Sequence, residues 1–150
     1  MGYLTAFKIG SSALTAQRLR LDVISNNIAN AETTRTTSGG AYQRQDVVFS
    51  SNENVSPFGT LIPADDTNTQ ETGLTGVNVG QIVTDTSAGT KVYDPTHSDA
   101  DASGYVTYPN VNMVVEMTNM LSASRSYEAG LSIIDSAKNM ALKAIEIGSA

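Results

Sequence analysis

His97 is the single histidine in the 150 residues and the one side chain suited to proton transfer near neutral pH. It stands in the run Asp94-Pro95-Thr96-His97-Ser98-Asp99, which is rich in turn-forming residues. A serine nucleophile would need this histidine, yet no Gly-x-Ser-x-Gly elbow is present to present one. Asp99 and Asp101, followed by Ser103 and Gly104, resemble the opening of a calcium loop. The twelfth position is Asn110 where a bidentate glutamate is required, and no helix precedes the run. Gly73, Gly76 and Gly80 lack the Gly-Lys-Ser/Thr sequence and helix start of a phosphate loop. There is no cysteine, which excludes disulfides and thiolate zinc sites. The reading is of a chain without a catalytic, cofactor or metal site.

The methionines at 113, 117 and 120 could offer soft sulfur ligands, but their spacing is that of a packing stripe. They open the clearest periodic segment of the chain. Met113, Met117, Met120, Ser124, Tyr127, Leu131, Ile134, Lys138, Ala141 and Ile145 follow a 4-3 spacing, the pattern of a coiled-coil seam. Pro109 with Asn110 or Asn112 marks the start. A helix over 112–147 would be ~54 Å long at ~1.5 Å per residue. Near the other end, Phe7, Leu14, Leu21 and Ile28 alternate with Gly10, Gln17, Ile24 and Ala31 in the same spacing. Ile9, Ala13, Ala16 and Val23 form a second stripe beside it. A helix with two apolar stripes needs more than one neighbour. Asn26, Asn27 and Asn30 mark its end, where left-handed backbone is tolerated, and Thr33–Gly40 follows as a loop.

Between these helices, Tyr42–Phe49, Val77–Val83, Lys91–Tyr93 and Gly104–Tyr108 read as short strands, and 50–76 as irregular. The net charge of −6 is concentrated here, with nine acids and one base in 46–108. An acidic middle argues against nucleic acid and against an anionic membrane surface. No stretch approaches the ~18 apolar residues of a membrane span, and the start lacks the pattern of a cleaved signal. The polar middle cannot cover a long C-terminal seam. Each large seam residue left in water forfeits about 1.5–3 kcal/mol, against a total domain stability of about 5–15 kcal/mol. The helices are therefore expected to be poorly ordered alone and to become ordered on assembly.

The motif Asn26-Asn27-Ile28-Ala29-Asn30 resembles the signature near the N-termini of the flagellar axial proteins, the rod, hook and filament-related subunits. Thr34-Arg35-Thr36, Tyr42-Gln43-Arg44-Gln45, Val92-Tyr93-Asp94-Pro95, Tyr108-Pro109-Asn110-Val111-Asn112 and Arg125-Ser126-Tyr127-Glu128-Ala129 are similar to the proximal-rod branch of that family. Gly130 departs from it, standing where the family pattern has Asn. The resemblance implies an α+β fold. An N-terminal helix with its loop (1–36) and a long C-terminal helix (109–150) would pair as a coiled coil of an inner helical domain, around a small, β-rich, partly irregular middle (37–108).

It implies a structural subunit that stacks helically into the drive shaft and passes torque along it. Its partners would be copies of itself and other proximal and distal rod subunits. They would also include the rod-base adaptor at the MS ring (FliE) and the flagellar type III export apparatus. No cofactor, nucleic acid, small-molecule substrate or membrane insertion is implied. The location would be the rod within the periplasm, reached without a cleaved signal peptide.

Subunit contacts are expected through Phe7, Leu14, Leu21, Ile24, Ile28, Met113, Met117, Met120, Tyr127, Leu131, Ile134 and Ile145. Arg125 and Glu128, at i,i+3, would either pair locally or bridge subunits. The competing readings are a sibling axial subunit and an unrelated secreted adhesin or needle-like protein.

Overall fold

The computed structural model describes residues 3–37, 39–51 and 76–148. The expectation of an irregular 50–76 segment falls almost wholly outside them. Among these residues two long helices, α1 (Tyr3–Ala29) and α2 (Met113–Gly148), flank four strands: β1 (Gln45–Ser51), β2 (Val77–Thr84), β3 (Lys91–Tyr93) and β4 (Tyr105–Thr107). β1 pairs antiparallel with β2, and β3 with β4, in two separate two-stranded sheets. The fold is α+β with paired terminal helices, as the sequence reading expects.

The helices run antiparallel. A Cβ placed on Gly10 would sit 2.8 Å from Ile134 Cγ1, and one on Gly130 would sit 3.0 Å from Leu14 Cδ2. Each helix thus gives the other a glycine-floored hole for a branched side chain. Ala123 and Ala137 are buried on the same line of α2. Gly130, a poor helix former in isolation, is required here because it lets α1 approach.

This seam corrects the one expected for α2. The inward line is Glu116, Met120, Ala123, Tyr127, Gly130, Ile134, Ala137 and Ala141, whereas Met113, Met117, Leu131 and Ile145 are exposed. Side-chain size misled the sequence reading. Helices pack most closely over their smallest residues, so α1 lies on the alanine–glycine side of α2 and leaves larger groups outside.

α1 meets its second neighbour as expected. The β1–β2 hairpin packs against it, with Ala16 buried close to Val77 and Val79. One apolar stripe of α1 is therefore covered within the chain by the strands of the middle segment. The alternation along β2 breaks because Gly80 is left out of the ladder: Val48 pairs with Gln81 and Phe49 with Val79. This is a β-bulge. The Arg20 guanidinium lies 6.0 Å from the Phe49 ring centre, adding a cation–π contact between α1 and the hairpin.

In the β3–β4 hairpin, Val106 is fully buried and Tyr93 meets Tyr105 edge-on at 5.2 Å. Gly104 closes the loop with φ of 79°, where a side chain would strike Tyr93. No strand packs on α2 among the described residues.

Candidate functional site

Two features of the molecule can do work: an uncovered apolar surface along α2, and a buried polar junction where the helices meet the strands.

The surface consists of two stripes flanking the inward seam. Met113, Met117 and Leu121, at i,i+4 spacing, line one flank near the start of α2, and Leu131 and Leu142 extend it. Val115, Ile133, Met140 and Ile147 line the other. Ile145 and Ile147 are 67% and 80% exposed. Contiguous apolar exposure of this kind marks an interaction surface in a stable protein.

Of the expected contact residues, Met113, Met117, Leu131 and Ile145 lie on this free surface. Met120, Tyr127 and Ile134 are half-buried against α1, as are Phe7, Leu14, Leu21 and Ile28 on the facing helix. Ile24 is 5% exposed and packs inside the chain. Arg125 and Glu128 are both exposed and form no ion pair with each other.

The junction is built on Asn27, which is fully buried. Its Nδ2 donates to the Gln45 carbonyl at 2.8 Å and to Glu116 Oε2 at 3.1 Å. Its Oδ1 accepts from the Tyr42 hydroxyl at 2.9 Å and from the Gln45 amide at 3.0 Å. Both amide hydrogens and both lone-pair directions are thereby used. Glu116, also fully buried, accepts from Arg44 Nε at 2.8 Å through its other oxygen.

Arg44 reaches Asp46 at 3.2 Å and presents its backbone N–H to Asn110 Oδ1 at 2.9 Å. Asn110 in turn donates to the Asp85 carbonyl. Burial would lower the Arg44 pKa, but the hydrogen bond and charge of Glu116, with Asp46, hold it above its ordinary value. Burial, reinforced by the Glu116 charge, pushes the Tyr42 phenol up. One connected set of polar groups thus ties α1, β1, α2 and the segment preceding α2.

The asparagines of the signature motif have separate duties. Asn30 ends α1 by donating to the Asn26 carbonyl and to Asn26 Oδ1. No non-glycine residue among those described has positive φ, so side-chain caps rather than left-handed backbone stop the helix. Asn112 caps α2, its Oδ1 accepting from the amides of Val114 and Val115. Asn110, the other candidate cap, serves the junction. The roles of Tyr42, Arg44 and Glu116 escaped the sequence reading. A lone carboxylate inside the apolar stretch Met113–Met117 was the available signal.

The residues considered for chemistry are engaged in the local fold. His97 Nδ1 accepts from the Asp99 amide at 3.1 Å. Asp99 takes the Thr34 hydroxyl at 2.8 Å and stands 3.6 Å from Arg35, tying the β3–β4 connection to the loop after α1. Asp101 accepts from the amides of Ser103 and Tyr105, which lowers its pKa. A cleft of about 510 Å³, bordered by Thr36, Tyr42, Gln45, Thr84 and Tyr108, has no charged side chain among its described lining residues.

Comparison with known proteins identifies the family. Residues 7–35 match the family model described as flagella basal body rod protein. Residues 102–147 match the model for the C-terminal part of the flagellar basal body rod FlgEFG proteins. The chain is 46% identical to the flagellar basal-body rod protein FlgC of Borreliella burgdorferi, with 98% of each chain covered. It is 40% identical to the FlgC protein of Bacillus subtilis over 97% of this chain and 99% of that one. To the FlgC protein of Escherichia coli O6:H1 it is 38% identical, over 99% of both.

Proposed function

The chain belongs to the flagellar basal-body rod protein family, and from that premise we propose that it builds the proximal part of the rod by stacking helically through its two terminal helices. It is a structural component of the flagellar basal body that assembles with other rod subunits. The observation supporting the helical route is the uncovered apolar surface of α2. The described strands leave this surface bare, and a bundle of neighbouring α1 and α2 helices would bury it. Met113, Met117, Leu131 and Ile145 are the side chains offered to neighbours. Tyr127, Met120 and Ile134 meet both α1 and the groups beside them. Arg125 and Glu128, unpaired with each other, are placed to bridge subunits.

In this reading the segments 1–36 and 109–150 form an inner helical layer, and 37–108 an outer layer. Torque passes between the layers through the polar junction. The rod-base adaptor FliE and the type III export apparatus are the further partners, and the periplasmic section of the rod is the destination. A chain without cysteine suits export in an unfolded state, since no disulfide can form on the way. No catalytic step enters this reading.

The test is Met117→Asp or Leu131→Asp in a motile strain. Secretion of the subunit should persist while rod assembly and swimming are lost. A strain that swims normally with either substitution would overturn the reading.

A further inference from the structure

One line of the antiparallel seam between α1 and α2 repeats so that it does not by itself fix how far the helices are slid along each other. On α1 the large residues Leu14, Leu21 and Ile28 recur every seven positions, and on α2 the small residues Ala123, Gly130 and Ala137 recur with the same interval. In the observed register Leu14 lies over Gly130. Sliding α2 by one heptad, about 10.5 Å at ~1.5 Å per residue, would set Leu14 over Ala137, Leu21 over Gly130 and Ile28 over Ala123. Large would still face small at each of these levels, and the cost of the slide within the apolar seam would fall on the other line, where Ile134 leaves the Gly10 hole and meets Gln17.

The polar junction has no such degeneracy. Glu116 is fully buried and finds Asn27 and Arg44 in one register only. A heptad slide in the direction just described carries it past the end of α1, and one in the opposite direction buries it against Leu21. In either case Asn27 and Arg44 lose their partner, leaving buried polar groups unpaired.

We propose that the Asn27–Glu116–Arg44 cluster is the register pin of the helix pair, with Glu116 as its positioning residue. Buried polar groups in helical seams are suited to this kind of selection, because their directional bonds depend more steeply on alignment than a repeating apolar line does. The pin also decides which residues of α2 project beyond α1 and at what height the exposed stripes stand relative to the strands.

The natural absence of cysteine allows a direct test on the purified full-length chain by disulfide trapping. Leu14→Cys with Gly130→Cys reports the observed register, and Leu14→Cys with Ala137→Cys reports the heptad slide. With Glu116 intact, the first pair should form its intrachain bond at least tenfold faster than the second. In Glu116→Leu, and in Arg44→Met combined with Glu116→Leu, the two rates should approach each other.

An unchanged preference in both variants would overturn the proposal. So would equal rates in the presence of Glu116. Loss of both bonds in both variants would overturn it as well, since the cluster would then serve stability rather than alignment.

Discussion

The two ends of helix α2 are held in opposite ways. At its start, Glu116 is fully buried and bonded to Asn27 and Arg44, the first turn is capped by Asn112, and the preceding segment is tied down through Asn110. Toward its end, Leu142, Ile145 and Ile147 stand in solvent, beside the exposed Lys143–Glu146 pair at 3.0 Å. The first end uses directional bonds that work inside one molecule. The second offers non-directional apolar area, which gains free energy only when something else covers it. A single helix therefore combines an internal anchor with an uncovered apolar flank.

The contrast is broken most severely at the anchor. Arg44→Ala leaves the Glu116 carboxylate buried without its charge partner and should cost about 3–5 kcal/mol, read by urea denaturation of the purified chain. Filling the seam comes next. Gly10→Val drives a side chain into Ile134 and should cost about 1–3 kcal/mol by overpacking, measured in the same way.

A smaller effect is expected from Tyr42→Phe, which removes one donor from Asn27 Oδ1 and should cost about 0.5–1.5 kcal/mol. Its pH dependence sharpens the point. The Tyr42 pKa is raised in the folded chain, so its contribution is complete below the unfolded value of about 10 and is lost as pH climbs through the folded one. The alkaline decline in stability should be shallower in Tyr42→Phe.

At the free end, Ile145→Ser should change monomer stability by less than about 0.5 kcal/mol while weakening assembly. If it destabilised the monomer as much as Arg44→Ala, the two ends would not differ as described. Amide exchange should rank the regions likewise, with faster exchange over 140–147 than over 114–124 in the free chain.

The periodicity of the sequence located both helices, and the Asn-rich motif located the end of α1. Helix formation and capping are local, and a single sequence records them well. The strands were legible where valines alternate, and the alternation failed at the bulge, because leaving Gly80 out is decided by how β1 and β2 align. The inward face of α2 was misjudged for a related reason. Met113, Met117 and Leu131 look like core by hydrophobicity, but whether α1 sits on them or on Ala123 and Gly130 depends on how close the two backbones come. The junction was the least legible part. Asn27, Arg44 and Glu116 are distant in the chain, and nothing in their spacing says that they meet. Asn27 was singled out through family likeness, and its four hydrogen bonds supply the physical reason for its place in the motif.

The glycine–alanine seam inverts the usual ordering of a protein interior. Along α2, Ala123, Gly130 and Ala137 are hidden while Met117, Leu131 and Ile133 face outward. A pair of helices drawn so close together makes a slender stalk whose oily flanks repeat along its length. A stalk of this shape can slot between others like it on more than one side, and a column of such stalks would be stiffest where its members interleave.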